Sequence, residues 1–366
     1  MNYTPHSNFV EHHRKHPDVH QPWHQWSEDE TLHVATCYSN PYRWQTRREL
    51  FNDFRRHILS LPNVRLHVGE LAYGDRPYEV TSPTNPDDYQ FRAHSALFHK
   101  ENVLNQVISR FPHNWKYGAY IDGDFTFTRH DVALETIHQL QHHPWVQMFS
   151  QYADLSGETY GTGHRMISTN NGFAFNFVNN GCRLPEGYTD GGWKTPAIQT
   201  VLNYKTSVTP PHQHVGVGAT GGAWAFTRAG FGILGQLLDV CILGHADWFM
   251  TFGLVGAPAP DMHIEKYSVA YQRAIFEWQS RCTSLYKNIG YVDGFATHHF
   301  HGSKNRRGYS HRDLILVKHQ FDPVKHLRRN FAGVWELADD AIGLRDEIRA
   351  YFVSRTEDDP NLYKGC

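Results

Sequence analysis

The sequence predicts an α/β fold: a mostly parallel central sheet flanked by helices, with a long loop region on one side. Three observations carry that prediction. Short apolar runs alternate with helical patterns from residue 32 to residue 152. Strands that alternate with helices build parallel sheets covered on both faces. One apolar run, beginning at Tyr117, ends in Asp122 and Asp124 with Gly123 between them. Carboxylates just beyond the carboxyl end of a buried strand stand where open α/β sheets bind their ligands. Finally, residues 156 to 222 dissolve into Gly, Asn, Thr and Pro. A stretch that long is more than a passive connection.

The bulk numbers narrow the class. The 366 residues suffice for one large or two ordinary domains. Aromatic residues make up 14%, which favours a packed core over disorder. The net charge of −2 with His neutral gives no global field of the kind that marks a nucleic-acid binder. The 27 histidines would make the chain markedly more positive below about pH 6.5. Cys37, Cys182, Cys241, Cys282 and Cys366 include no C-x-x-C pair and are odd in number. That argues against a disulfide framework or zinc ribbon, and for a reducing compartment. No stretch approaches the roughly 20 apolar residues of a membrane span, and the chain start lacks a signal peptide's apolar core. The expectation is a soluble, cytoplasmic protein with no membrane partner.

Residues 1–30 are polar and histidine-rich, with His6, His12, His13, His16, His20 and His24 beside Trp23 and Trp26. They read as an extension ahead of a main domain at 31–320, with a helical extension at 321–366. The first strand is Leu32 to Tyr38, stopped by Ser39-Asn40-Pro41. A helix follows, where Thr46 and Glu49 have capping-box spacing and Leu50, Phe54, Ile58 and Leu61 form one face. A strand at 64–71, a polar loop at 81–90 and a helix through Val103, Leu104, Val107 and Ile108 come next. After the strand bearing Asp122 and Asp124, the pattern gives a helix at 131–142 and a strand at 145–152. Order returns at Ala223 with a strand, an apolar helix at 228–242 and another near Asp247. A long amphipathic helix at 262–281 precedes a strand at 291–300, which runs into His298-His299-Phe300-His301-Gly302.

Asp122 and Asp124 are one residue apart, and alternate strand residues share a side. Gly123 lets the backbone turn and a ligand approach closely. Two hard oxygen ligands at such a place suit Mg²⁺ or Mn²⁺ carrying a diphosphate. Asp-Gly is also common turn chemistry.

Four features fall in a particular order: Val34 to Tyr38 with Asn40; His99-Lys100-Glu-Asn-Val-Leu-Asn105; the D-x-D at Asp122 and Asp124; and Gly221-Gly222-Ala-Trp-Ala-Phe-Thr-Arg. His245-Ala-Asp247-Trp248 and His301-Gly302 come after them. This order, over residues 32 to 310, resembles nucleotide-sugar glycosyltransferases of the GT-A fold, a Rossmann-like architecture. The likeness is to the broad family 2 type and the β-1,4-galactosyltransferase type. The whole chain also resembles uncharacterised glycosyltransferase-like proteins of viral and bacterial genomes. That likeness would place the protein in a host cytoplasm if its origin is viral.

The resemblance implies roles. Asp124 would hold a divalent metal, Mn²⁺ or Mg²⁺, that bridges the donor diphosphate, and Asp122 would contact the ribose, the metal or both. His301 would be a further ligand, whose imidazole favours Mn²⁺; His299 could substitute from the same strand face. Asp247 would be the general base for an acceptor hydroxyl. Ala246 stands where these enzymes commonly carry a second acid, and Asp247 is also placed as a helix N-cap. Lys100 and Asn105 would line the donor pocket, with Tyr38 and Asn40 near the base. Gly221 and Gly222 would admit the sugar, and Trp248 would wall the acceptor side, though it also suits a core position. Lys304 and Arg306 open a basic segment that reaches Arg329, fit to hold donor phosphates or a nucleic-acid acceptor, or simply a solvated surface. The implied activity is transfer from a UDP-sugar to a hydroxyl, in first place that of a 5-hydroxymethylpyrimidine in DNA. A surface or capsular glycan is the alternative acceptor. A non-catalytic nucleotide- or carbohydrate-binding protein is the alternative function. A nucleotidyltransferase fits less well, since Ser39-Asn-Pro-Tyr-Arg lacks a glycine-rich phosphate loop.

Overall fold

A computed structural model describes residues 31–160, 163–185, 216–257, 263–302, 306–309 and 311–358. The histidine-rich stretch 1–30, Lys304 and Cys366 lie outside the described residues.

The first strand, β1 (Leu32–Ser39), is almost wholly buried. Its residues serve two cores: Leu32, Val34 and Tyr38 face one, Ala35 the other. Helix α1 (Gln45–Ser60) packs Phe51, Phe54 and Ile58 inward. The expected Thr46–Glu49 capping box does not form. The Asp358 carboxylate instead accepts from the backbone amides of Gln45 at 2.7 Å and Thr46 at 2.9 Å. Next come β2 (Val64–Tyr73) and β3 (Asp88–Ala93). The latter corrects the loop expected at 81–90: Phe91 and Ala93 point inward from an edge strand whose other side chains are polar. After α2 (Lys100–Ile108) come β4 (Tyr117–Ile121), β5 (Phe125–Phe127), α3 (Val132–Leu140) and β6 (Trp145–Gln147).

The stretch expected to be loop from residue 156 is ordered at its start. It forms β7 (Gln151–Tyr160) and β8 (Gly163–Asn171), an antiparallel pair, then α4 (Phe173–Asn179). Residues 186–215 lie outside the described set. Then follow β9 (Ala223–Thr227), α5 (Arg228–Leu234), α6 (Ala246–Leu254), α7 (Val269–Arg281), β10 (Ile289–Tyr291) and β11 (Phe295–His298). The helix expected over 228–242 stops at Leu234, where Gly235 takes a φ of 76°. The C-terminal part holds α8 (Leu314–Lys318), α9 (Pro323–His326), β12 (Leu327–Arg329), β13 (Trp335–Leu337) and α10 (Ile342–Ser354). Phe321, Leu327, Val334, Leu344 and Phe352 belong to the same core as Leu71 and Trp224. The expected extension at 321–366 is thus packed into the domain as far as Phe352.

The seven-stranded sheet runs β10-β6-β9-β4-β1-β2-β3. All pairs are parallel except those of β9, which is antiparallel to β4 and β6. Helices cover both faces, with α1 and α3 over one core and α2, α6 and α7 over the other. Each large apolar side chain removed from water contributes roughly 1.5–3 kcal/mol, so these cores fix the sheet. The chain moves outward from β1 through β2 to β3, then crosses back to set β4 on the other side of β1. The order therefore reverses between β1 and β4, the point at which α/β sheets open a crevice for ligands. A second sheet, β5-β11-β7-β8, follows on from β4. Among the described residues, no helix is long and apolar enough to cross a membrane.

At the amino ends of β1 and β2, His33 Nδ1 lies 3.0 Å from His67 Nε2, and His67 Nδ1 lies 3.3 Å from both Tyr89 and Asp87. Burial pulls His67 down to about 4; Asp87 opposes this and His33 adds to it. The unfolded chain binds this proton near 6.5 and the folded chain does not, so stability is full above that pH and is lost as pH falls toward 4. Urea unfolding near pH 7 and near pH 4.5 should show a loss on the order of 2 kcal/mol through this residue. His67→Gln should flatten that part of the slope. An unchanged slope would place the acid sensitivity elsewhere.

Candidate functional site

The site is built on the turn that follows β4. The Asp122 amide donates to Gly222 O at 2.8 Å, and the Phe125 amide donates back to Asp122 O at 3.1 Å. This tight turn separates the two carboxylates rather than aligning them as alternate strand residues would be. Asp122 Oδ1 meets Lys100 Nζ at 3.1 Å. Asp124 Oδ2 meets His301 Nε2 at 2.7 Å and His298 Nε2 at 3.6 Å. Each aspartate therefore heads its own cluster.

Strand register explains the Asp124 cluster. On β11, His298 pairs with Phe125 of β5 on one side and Asp154 of β7 on the other. Asp154 Oδ1 lies 2.9 Å from His298 Nδ1, leaving Nε2 to face Asp124. Ser168 Oγ donates to the other Asp154 oxygen at 2.7 Å. A carboxylate behind the ring fixes the tautomer of a ligating histidine. The strand ends at His298 and the chain turns, so residue 301, not 299, comes back beside it. His299 instead gives its amide to Asp124 O at 2.9 Å, places Nε2 3.1 Å from Thr126 Oγ1 and rests edge-on against His164. The alternate ligand expected at His299 gives way to His298, missed because the strand was read as running on to residue 300.

Among the described residues, Asp124, His298 and His301 form a group whose ligand atoms lie within 4.8 Å of one another, so they could hold a metal ion. Asp122, expected as a co-ligand, is not in it. Two features suit a cation. Asp124 Oδ1 is buried without a hydrogen-bond partner, an exception in folded proteins. Electrostatics agree. Burial would raise Asp124, but the neighbouring histidines overcome it and hold the carboxyl well below its usual range. His298 rises to about 9, because Asp124 and Asp154 outweigh its burial. His301 falls to about 4 through burial and the charge of Arg307. Asp124 thus faces both imidazoles and also feels the charge of Arg307.

The second cluster centres on Lys100, at the start of α2. Its ammonium also lies 3.4 Å from Glu101, a carboxylate that is 3% exposed. Burial pushes Lys100 down, but Asp122 and Glu101 hold it well above its usual value. Burial raises Glu101 to about 7, against the pull of Lys100 and with a push from Asp247. Burial also raises Asp122, opposed by Lys100. Asp247 sits in the first turn of α6, not at its cap; His245 is the cap residue, with a φ of 72° and its Nδ1 ion-paired to the buried Asp313. A Cβ on Gly221 would lie 2.7 Å from Asp247 Oδ2 and 3.9 Å from Asp122 Oδ2. Gly221 thus lies beside both carboxylates, and a side chain there would push on Asp247. Gly222 has a φ of 95° and packs on Phe125.

Other expected site residues have structural partners. The Tyr38 hydroxyl donates to Glu79 at 2.5 Å, and the Asn40 amide bonds Tyr38 and both backbone atoms of Trp44. Asn105 is pinned on both sides to the backbone of Leu237. It lines an open cavity of about 800 Å³ with Trp115 and Arg228. That cavity lies toward the amino end of β4, away from the carboxylates. Trp248 packs at a tilt on Phe252, with ring centres 4.8 Å apart, and lies against the core. Arg306 is exposed and bonds Thr356. Its neighbour Arg307, which is 7% exposed, donates to Tyr309 Oη at 3.1 Å and also feels the charge of Asp124.

No family model matches the sequence, and neither does any curated protein.

The geometry orders the metal ligands. Titration calorimetry with Mn²⁺ should give one site, abolished by Asp124→Ala and His298→Ala and left unchanged by His299→Ala. Asp154→Asn, which only orients His298, should weaken affinity about 10- to 100-fold. Metal binding that survives Asp124→Ala would overturn the assignment.

Proposed function

We propose that the protein is a metal-dependent glycosyltransferase of the GT-A type, which moves a sugar from a nucleotide-sugar, in first place a UDP-sugar, to a hydroxyl group. One observation carries the reading. Asp122 and Asp124 leave the carboxyl end of β4 beside the strand-order reversal, and Asp124 belongs to a carboxylate–histidine group fit for a metal.

Asp124, His298 and His301 would hold the cation, and two imidazoles beside one carboxylate favour Mn²⁺ over Mg²⁺. The same donors suit Zn²⁺ and Fe²⁺. Bound there, a cation supplies Lewis-acid stabilisation of a departing diphosphate. Lys100 and Arg307 add fixed positive charge on either side of the two aspartates. Asp247 is the base in this reading: it faces the gap at Gly221 and stands across from Asp122. An acceptor hydroxyl in that gap would pass its proton to Asp247 as it attacks the sugar, which gives inversion.

The hydroxyl of a hydroxymethylated pyrimidine in DNA is the acceptor we test first. One observation favours a glycan instead. Much of the basic segment is occupied within the chain: Arg307 and Arg312 are buried, Arg329 pairs with Asp239 and Lys318 pairs with Glu347. That leaves less of the free basic face that duplex binding uses.

The test is UDP release from UDP-glucose with Mn²⁺, with and without DNA containing 5-hydroxymethylcytosine. Release stimulated by that DNA, and not by unmodified DNA, is the expected result. Asp124→Ala should abolish it, and Asp247→Asn should lower turnover about 10²- to 10⁴-fold. Release indifferent to DNA would move the acceptor to glycans. UDP binding without release from any nucleotide-sugar would leave a non-catalytic binding protein.

A further inference from the structure

Beside the Asp124 cluster the chain has gathered more positive charge than it neutralises. Arg47, in the first turn of α1, meets the Glu357 carboxylate through Nε at 3.1 Å and Nη2 at 2.7 Å. Arg355 Nη2 meets the same carboxylate at 2.7 Å. Arg307 stands close enough to feel the charges of both Glu357 and Asp124. Two guanidinium groups thus share one carboxylate that is 1% exposed, and the third, Arg307, donates to Tyr309 Oη at 3.1 Å. Arg307 and Arg355 are each more than nine-tenths buried, and each keeps an Nε without a hydrogen-bond partner among the described residues.

The next residue, Asp358, covers the amino end of α1, a 16-residue helix with no side-chain cap of its own. Two successive acidic residues therefore occupy two adjoining anion-binding features, an arginine cluster and a helix amino terminus. Both features favour phosphate as much as carboxylate. The place matters too. Arg47 Nη1 bonds Ser39 O at the carboxyl end of β1, at 2.8 Å. Gly302, next to His301, has a φ of 95°, and a Cβ there would lie 3.2 Å from Glu357. The tail thus lies against the turn that carries His301.

We propose that Arg47, Arg307, Arg355 and the amino end of α1 form a diphosphate-binding site, which the chain's own Glu357 and Asp358 occupy in the ligand-free protein. It rests on the reading of the crevice as a donor site and adds a device to it. A phosphate group offers more acceptor oxygens than a carboxylate, so it can satisfy the two guanidinium Nε groups that the tail leaves without partners. A diphosphate would then displace Glu357 and Asp358, and the tail would close again after it leaves.

The experiment is pyrophosphate titration of the full chain in EDTA, so that neither metal nor turnover is required. Glu357→Gln with Asp358→Asn removes the competing charges and should tighten pyrophosphate binding about tenfold, the tax of a site filled by its own tail. Arg355→Gln in that background should remove the gain. Asp358 is exposed, so Asp358→Asn alone keeps the fold and should shift affinity in the same direction by a smaller factor. In the wild type, hydrogen exchange at 356–358 should rise on saturation with pyrophosphate. Equal affinity in wild type and variants, no pyrophosphate binding in any of them, or unchanged exchange in the tail would each overturn the proposal. Tail-dependent pyrophosphate binding without nucleotide-sugar turnover would keep this site and sink the glycosyltransferase reading. Turnover with tail-independent affinity would do the reverse.

Discussion

The reversal of strand order at β1 governs everything built above the sheet. With β2 and β3 on one side of β1 and β4 on the other, the segments that leave β1 and β4 must part at their carboxyl ends. The gap so formed collects Asp122 and Asp124 from β4, Ser39 and Asn40 from β1, and Lys100 from the start of α2. Neither histidine of the metal group belongs to this sheet's own strands. His298 arrives because β5 leads directly from the Asp124 turn into the second sheet, where β11 lies beside it. The main sheet therefore sets the place, and the small sheet and the turn after it bring the two histidines that could hold a cation.

Charge compensation is the second constraint. The shifted groups near the gap are set by burial and by named neighbours acting with or against it. Lys100 stays cationic because Asp122 and Glu101 surround it, and Glu101 is raised because burial is only partly offset by that lysine. His298 takes a proton because two carboxylates flank it. Such arrays are costly to leave incomplete, since a buried charge without a partner loses its hydration and gains nothing in return. The region holds its charges in place and leaves particular donor and acceptor atoms open.

Much of the architecture was legible in the sequence, because burial on both faces leaves apolar runs and α1 and α2 show clear helical periodicity. The runs that became β1, β2, β4 and β9 read directly. β3 did not: Asp88-Tyr89-Gln90 is polar, and an edge strand needs only alternate residues inside. The β7–β8 pair was hidden for a related reason, as most described side chains of β8 are exposed. Site residues divided the same way. Asp122, Asp124, Lys100 and Asp247 were found from motif order and do lie around one gap. Tyr38, Asn40 and Asn105 were chosen for their places after strands or on a helix, and sequence could not show that Glu79, Trp44 and Leu237 use their polar groups. His298, Asp154 and Glu101 were missed, and Arg307 was not singled out from its basic segment, because register, burial and turn geometry decide which member of a charged run faces inward.

The inverted direction of β9 has a consequence of its own. Because it runs against its neighbours, its beginning, not its end, meets the crevice, and the segment that arrives through Gly221 and Gly222 enters the site on its way into the sheet. The whole excursion between α4 and β9 is thereby anchored at both margins, by Phe173 donating to Ala219 O and by the Gly222–Asp122 bond. A change at Gly221 or Gly222 would therefore alter the crevice and the start of a central strand at once.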